Sequence, residues 1–177
     1  VKEDYIPMLQ GLSLRNVTLR IQDKKKVLYE EFGEMLFTHF GISGPLVLSA
    51  SSHVGSKLDK GPLKAFVDLK PALSLEQMDH RLVREFEAGK NKQFKNVIQG
   101  LFPSKLVPVM LALTDIPAEK KVNVITKEER QSFAALIKAF PMTILKTRGF
   151  GEAIITQGGI DTRSINPSSM ETKEVKN

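Results

Sequence analysis

The sequence contains no cysteine and no tryptophan, and only two of its 177 residues are tyrosine. Without cysteine the chain can form neither a disulfide framework nor a thiolate site. No apolar run approaches the roughly 18 residues that a membrane-spanning helix requires, and the first residues lack the apolar stretch of a signal peptide. These absences argue against a membrane-spanning or disulfide-stabilised fold, and we predict a cytoplasmic protein with no membrane partner.

Histidine is also scarce, since the chain holds only His39, His53 and His80. None of them belongs to a His-x-x-Glu or Glu-x-x-His pattern, and there is no cysteine to complete a metal site. The chain also lacks the Gly-x-Ser-x-Gly elbow of many hydrolases and the phosphate-binding P-loop. We therefore predict no metal site and no elbow or P-loop chemistry.

The formal net charge is +6, but the basic residues are scattered among acidic ones. The clusters are short, Lys24–Lys26 and Lys120–Lys121. Aromatic residues suited to base stacking are few, and most are phenylalanines with the spacing of core residues. The composition therefore favours a solvated basic surface over a nucleic-acid interface. With 41% hydrophobic residues, the chain can form the core of one domain or of two small ones.

The first part of the chain has the alternating pattern of β-strands. Residues 12–22 alternate apolar and polar side chains, and the change of parity between Leu14 and Val17 predicts a β-bulge. A lysine-rich turn follows, and the segment 27–32 completes a hairpin. The alternation over 63–69 predicts a further strand of the same sheet.

From Ser74 onward the apolar period changes from two to about 3.6 residues. The segments Ser74–Gln77 and Thr126–Glu129 both have the form of a capping box, which marks a helix start. Asn91 and the pair Pro103–Ser104 predict two further helix starts, and a proline ends the last helix. Residues 74–140 are therefore predicted to form four helices with short links, a small bundle.

Strand character returns after the helices, at 142–160, with a second strand over Ala153–Thr156. The simplest arrangement pairs this segment with the first strands and places the helical lobe inside a β lobe. We therefore predict an α+β fold, a β-barrel-like subdomain with an inserted all-α helical-bundle subdomain. The predicted boundaries are 1–73 plus 141–162 for the β subdomain, with 1–11 as an entry linker, 74–140 for the helical subdomain and 163–177 for a linker or tail.

The segment Gly33–Pro45, GEMLFTHFGISGP, is the densest piece of unusual sequence in the chain. Its apolar run predicts a strand that ends in a polar bend at Thr38 and His39. The Ser-Gly-Pro that follows predicts a helix start, with Ser43 as the N-cap and the proline in the first turn. Free N–H groups at such a start would suit an anionic or carbonyl oxygen.

Two further motifs accompany this one, TRGFGEA with ITQGGI inside Thr147–Ile160 and INPSSMETK at Ile165–Lys173. Together the three resemble the signatures of the bacterial flavoproteins known as BaiN-like or aminoacetone-oxidase-like NAD(P)/FAD-dependent oxidoreductases. The resemblance covers nearly the whole chain. The family's Gly-rich dinucleotide fingerprint and its closing flavin-contacting glycine segment are absent, so we expect the inserted middle domain of such an enzyme.

This resemblance implies a cap that covers the flavin ring and shapes the substrate pocket of an FAD-dependent oxidoreductase. Its partners would be the FAD-binding domain of the same protein and a small-molecule substrate, with NAD(P)H as a candidate electron donor. FAD would bind only to the full-length protein, so this chain alone is expected to be inactive. His39 is the candidate catalytic residue, because imidazole titrates near neutral pH. The residues implied to face the cofactor or substrate are Thr38, His39, Gly41, Ser43, Gly44, Thr156, Gly158 and Gly159.

Other interpretations remain open from the residues alone. His39 also suits a structural histidine satisfied by the backbone, and Gly158–Gly159 also suits a tight turn. Arg148 and Glu152 have the spacing of a surface ion pair, which would stabilise little. For the whole chain, the alternative is an independent basic β-barrel and helical module that binds RNA or another protein.

Overall fold

The computed structural model describes residues 1–155 and 159–173, apart from the side chain of Phe150. The chain divides into two compact units, Val1–Thr147 and Arg148–Asn177. The first unit contains the strands β1 (Ser13–Asp23), β2 (Lys26–Thr38), β3 (Gly41–Ser43), β4 (Leu63–Asp68) and β5 (Phe140–Ile144). Its α-helices are α1 (Pro45–Leu58), α2 (Leu75–Ala88), α3 (Phe94–Val97), α4 (Leu106–Leu113) and α5 (Lys127–Lys138).

The five strands form one antiparallel sheet in the order β3-β2-β1-β4-β5, and the sheet curls into a half-barrel. Strands β1 and β2 form the predicted hairpin, and their register shifts between Leu14 and Val17. Asn16, inside that shift, has a φ of 56°. The predicted bulge is therefore confirmed, because one extra residue restores the inward parity of the apolar side chains.

The first residues of the chain pack onto the barrel, so the entry linker predicted for residues 1–11 is wrong. The backbone N–H of Lys2 donates to the carbonyl of Thr143 in β5 at 3.0 Å. Val1 lies 3.3 Å from the position that a Cβ on Gly41 of β3 would occupy. Because β3 and β5 are the two outermost strands, this segment bridges the open edges of the half-barrel. A 3₁₀ turn at Pro7–Leu9 then leads into β1.

Helix α1 begins directly after the short strand β3, which the sequence did not predict. The N-cap is Gly44, which makes no side-chain cap bond, and Pro45 is the first helical residue. Ser43 lies in β3, where it pairs with Leu36 of β2. The helix is confirmed, but Ser43 as its cap is wrong, because sheet pairing continues up to the residue before the glycine.

The helical part follows β4. The capping boxes at Ser74 and Thr126 are confirmed, each with both reciprocal hydrogen bonds. Asn91 does not cap α3, which is four residues long and has Gln93 as its N-cap without a side-chain bond. Helix α4 takes Lys105 as its N-cap, just after the predicted Pro-Ser start. A capping box, which needs two reciprocal side-chain bonds, thus predicted the helix start more accurately than Asn91 or the Pro-Ser pair did.

Phenylalanines occupy the centre of the helical part. The Phe133 ring lies edge-on to Phe94 and Phe102, with ring centroids 5.0 and 6.2 Å apart. Outside this centre, Asp79 of α2 and Arg130 of α5 form a two-point ion pair at 2.7 and 3.1 Å. Their side chains are only 18% and 19% exposed, so this pair holds two helices together away from bulk water.

Strand β5 returns the chain to the sheet by pairing with β4. The predicted return is therefore confirmed, and so is the α+β class with a barrel-like sheet and a helical part. Buried apolar side chains of the sheet and of the helices belong to one continuous cluster. The subdomain boundaries stay a prediction.

The strand predicted over Ala153–Thr156 is wrong where the structure describes it. Ala153–Ile155 form a bend with exposed side chains and pair with no strand, while Thr156 lies outside the described residues. Among the described residues of their own unit, the apolar side chains there have no sheet edge to join. In that second unit the described residues include two 3₁₀ turns and an antiparallel bridge between Ile165 and Thr172. Arg148 and Glu152 form the predicted ion pair.

Candidate functional site

The turn between β2 and β3 gathers five of the predicted site residues. Pairing of Phe37 with Ile42 and of Thr38 with Gly41 leaves His39 and Phe40 as the two turn residues. We call residues 38–44 the β2–β3 corner. The signature that predicted a strand ending in a polar bend is confirmed there, and the bend returns at once into a second strand.

His39 is exposed at the tip of this turn. Its ring stands edge-on to Phe40, with ring centroids 4.8 Å apart. Phe40 is itself 38% exposed. The tip therefore presents an imidazole and an aromatic ring together, a pair suited to a flat, partly apolar ligand.

Two glycines of the corner have backbone conformations that other residues rarely adopt. Gly41 has a φ of 156° and Gly44 a φ of 95°. A Cβ on Gly44 would also lie 3.1 Å from the backbone of Met35 and of Leu36 in β2. Glycine is therefore required at position 44 both by conformation and by the close approach of the helix start to the strand.

The start of α1 offers less to an anion than the sequence suggests. Pro45 has no N–H, and the N–H groups of Val47 and Leu48 already donate to the carbonyl of Gly44 at 3.0 and 2.9 Å. At most the amide of Leu46 is left for a ligand. Ser43 is not the N-cap of α1, so its hydroxyl does not cap the helix.

Thr38 contributes the polar atom most in need of a partner. Among the described residues, its Oγ1 is the buried side-chain oxygen or nitrogen without a hydrogen-bond partner. A buried hydroxyl in that state costs about 1–3 kcal/mol, so its presence calls for an explanation. The corner therefore combines a buried hydroxyl without a partner and an exposed imidazole beside an aromatic ring.

The second predicted group of site residues cannot be compared with the first. Thr156 and Gly158 lie outside the described residues. Gly159 is exposed, has a φ of 119°, and has no atom within 4 Å of the position of a Cβ. Its backbone conformation, rather than a close neighbour within the described chain, favours glycine at that position.

A small cleft of about 130 Å³ lies elsewhere, between the bulge of β1 and the residues before α4. Arg15 and Lys70 line it beside Leu14 and Phe102, and none of the residues of the β2–β3 corner does. Burial, together with the nearby charge of Arg81, lowers the pKa of Lys70. No acidic side chain lines the cleft, so its chemistry is that of a basic, shallow recess.

The sequence analysis missed a second basic feature at one end of the barrel. We call Lys24, Lys25, Lys26, Lys57, Lys60 and Lys64 the lysine end. The hairpin turn was visible as a run of three lysines, but the other three come from a helix end and a strand start. Only the pairing of Gln22 with Lys64 shows that these segments adjoin.

Among residues 1–155 and 159–173, no group of three or more potential ligands is placed to hold a metal ion. In the same part of the chain, no helix is both long enough and apolar enough to pass through a lipid bilayer.

A curled antiparallel sheet joined to a helical part defines the class of this domain. Residues 1–155 match the model of one family, described as the HI0933-like protein barrel and H2TH domain, and the chain belongs to it. The resemblance to the BaiN-like flavoprotein oxidoreductases is thereby confirmed.

Three curated relatives show similarity over most of the chain. A 3-dehydro-bile acid delta(4,6)-reductase of Clostridium scindens is 28% identical over 150 residues, which cover 84% of this chain and 37% of the relative. The ribosomal RNA dihydrouridine synthases of Haemophilus influenzae and Escherichia coli are 28% and 30% identical over 174 residues. These residues cover 98% and 97% of this chain and 40% of each relative. The chain thus spans about two fifths of the length of the relatives that it matches.

Proposed function

We propose that this chain is the substrate-side cap domain of an FAD-dependent oxidoreductase of the cytoplasm. The observation that carries the proposal is the β2–β3 corner, where an unpartnered buried hydroxyl lies in the same turn as an exposed imidazole and aromatic ring. The family match supplies the class of chemistry. The curated relatives are more than twice as long, which leaves room in such proteins for a flavin-binding domain.

In this proposal five residues of the corner have defined tasks. The Thr38 hydroxyl donates a hydrogen bond to an acceptor atom of the flavin ring or the substrate. His39 holds or delivers a proton at the substrate, because a histidine changes charge near neutral pH. Phe40 shields that position from water, which strengthens the polar contacts beneath it. Gly41 and Gly44 keep the turn close to β2, so that the side chains of the three preceding residues, 38–40, are held together on one short segment.

FAD supplies the two-electron redox chemistry when it is bound. The chain itself lacks a Gly-rich phosphate-binding turn, so we expect that it does not retain FAD and has no activity alone. NAD(P)H is the electron donor that we expect for the complete protein.

The test compares two histidines in a protein that joins this chain to its flavin-binding segments. His39→Ala should lower the rate of NAD(P)H oxidation at least tenfold, while the free energy of unfolding changes by less than about 0.5 kcal/mol, as is usual for an exposed site. His80→Ala is the matched control, because His80 is an exposed histidine on α2, far along the chain from the corner. Equal rates in the two variants would remove His39 from the site.

A second candidate concerns the substrate rather than the class of reaction. Two of the three relatives are ribosomal RNA dihydrouridine synthases, and both match nearly the whole chain. Dihydrouridine is uridine with two added hydrogen atoms, so this activity and that of the bile acid reductase are both reductions. The substrate of the complete protein is then either a small molecule or a uridine within RNA. Uridine-containing oligonucleotides and steroid dienones, offered separately to the complete reduced protein, distinguish the two.

A further inference from the structure

The lysine end brings three separate chain segments together at one end of the barrel. Lys24 and Lys25 form the tip of the β1–β2 hairpin, and Lys26 pairs with Asp23 just below it. The side-chain amide of Gln22 donates to the carbonyl of Lys24 at 3.0 Å, which fixes the turn. All three lysines are exposed. The hairpin tip is therefore a fixed, fully solvated group of three positive charges.

The other three lysines adjoin this tip. Lys64 is the β4 residue paired with Gln22, so it lies beside the last residues of β1. Its ammonium group donates to Oγ1 of Thr143 at 3.1 Å, and the carboxylate of Glu3, which accepts from the N–H of Thr143, lies close enough for its pKa to be lowered by the Lys64 charge. Lys57 and Lys60 flank the end of α1, a few residues before β4 begins. Helix end, strand start and hairpin tip thus present their lysines at the same end of the sheet.

Acidic residues neutralise this end only in part, through Glu3 beside Lys64. Residues 23–26 and 57–64 hold six lysines and two aspartates, which leaves a net charge of +4. Among the ion pairs formed by the described residues, none involves a lysine of the lysine end. The lysines that are paired lie in the helical part or at its junction with the sheet, as with Lys95, Lys120 and Lys138. The charge of the lysine end is therefore available to an anionic partner.

The position of the lysine end limits what that partner can be. Helix α1 runs from the β2–β3 corner to the lysine end and has 14 residues, a length of about 21 Å at 1.5 Å per residue. A small anion at the lysine end cannot also reach the corner. A nucleic-acid strand can, since its phosphates carry one charge every few ångströms along its length.

We propose that the lysine end binds the phosphate backbone of an RNA, and that the bound strand is the one whose base is presented to the β2–β3 corner. The first part of this proposal needs only the charge and geometry of the described chain. The second part rests on the RNA candidate of the proposed function. The lysines position the strand and read no sequence, since contacts to phosphates carry no base information.

The test measures binding of labelled, fragmented bacterial ribosomal RNA to the 177-residue chain at several salt concentrations. The variant replaces all three hairpin lysines, as Lys24→Gln, Lys25→Gln and Lys26→Gln. The matched control replaces three exposed lysines of the helical part, as Lys90→Gln, Lys92→Gln and Lys121→Gln. Both variants lose the same charge, and urea unfolding verifies that both remain folded.

We expect the hairpin variant to raise Kd at least tenfold and the control to change it less than twofold. The slope of log affinity against log salt should become shallower by about two in the hairpin variant, because each lost phosphate contact removes about 0.7 to 0.9 from it. Equal losses in both variants overturn the proposal, since net charge alone then explains binding. Absence of salt-dependent RNA binding overturns it too, as does binding to phosphatidylglycerol vesicles without binding to RNA.

The first part of this proposal, RNA binding by the lysine end, is independent of the cap proposal. RNA binding by the chain needs no flavin, so it survives if His39→Ala leaves turnover unchanged. In the complete protein the hairpin variant should raise the apparent KM for RNA at least tenfold and leave flavin content unchanged. A lowered flavin content would instead assign these lysines to the docking of the flavin-binding domain and overturn the RNA role.

Discussion

Replacing Thr38 by valine should stabilise this chain, although the hydroxyl belongs to the family signature. The Oγ1 atom is buried and has no hydrogen-bond partner among the described residues. Such a hydroxyl costs about 1–3 kcal/mol, and a valine methyl fills almost the same volume. Both residues are β-branched and suit a strand, so propensity hardly changes. The free energy of unfolding should rise by about 1–2 kcal/mol.

Urea unfolding of the 177-residue chain measures this change. With an m value of about 2 kcal/mol/M, a gain of 1 kcal/mol moves the midpoint upward by about 0.5 M. Thr143→Val in β5 is the matched control, because Thr143 is also buried but its Oγ1 accepts a hydrogen bond from Lys64 at 3.1 Å. That variant should lose about 0.5–1.5 kcal/mol, the usual contribution of one such bond.

The opposite signs of the two threonine variants are the decisive result. If Thr38→Val destabilises the chain as much as Thr143→Val does, the Thr38 hydroxyl already has a partner and the argument for a vacant donor fails. In the complete protein the sign should reverse. Thr38→Val should weaken retention of FAD or substrate there, because the donor that burial leaves unused in this chain is then in use.

Two further substitutions test the backbone of the corner and the ion pair of the helices. Gly44→Ala should lower the free energy of unfolding by about 2–3 kcal/mol in urea unfolding, because alanine is strained at a φ of 95°. Gly100→Ala is the control and should change it little, because no atom lies within 4 Å of its Cβ position. Equal effects of the two variants would refute the steric argument. Asp79→Asn should cost about 1–2 kcal/mol at pH 7, because the hydrogen bond from Arg130 lowers the pKa of the Asp79 carboxyl. Because folding lowers this pKa, the ionised carboxylate stabilises the fold above about pH 5, and this stability is lost as the pH falls below the pKa of an unfolded aspartate, about 3.9. The difference in free energy of unfolding between variant and wild type should therefore disappear in acid. Asp115→Asn, an exposed carboxylate, should show no such gap at any pH; a gap that persists in acid would assign the Asp79 effect to packing.

Local sequence rules predicted the elements whose information lies within a few residues. The capping boxes at Ser74 and Thr126 and the parity change at the bulge of β1 are of this kind. Each is decided by side chains three or four residues apart, so distant parts of the chain hardly alter it.

The errors arose where a distant segment decides the structure. Residues 1–11 look like a linker because their stabilising partners, Thr143 and Pro141, lie near the far end of the same unit. Ser43 has the sequence context of a helix cap, but its backbone pairs with Leu36 and therefore belongs to β3. At the candidate site the sequence located the corner but not the orphaned hydroxyl of Thr38, since burial without a partner is a property of the packed structure alone.

The bridge made by the first residues sets an order of events during synthesis. Tyr5 and Lys2 leave the ribosome before β5 is made, yet their partners lie on β5. Residues 6–139 must be made in between, and the entropy of closing so long a loop opposes early contact. The helices can pack against one another during this interval, before β5 is made. A nascent chain halted before Phe140 should therefore show protected helices beside an N-terminal segment that proteases still cut.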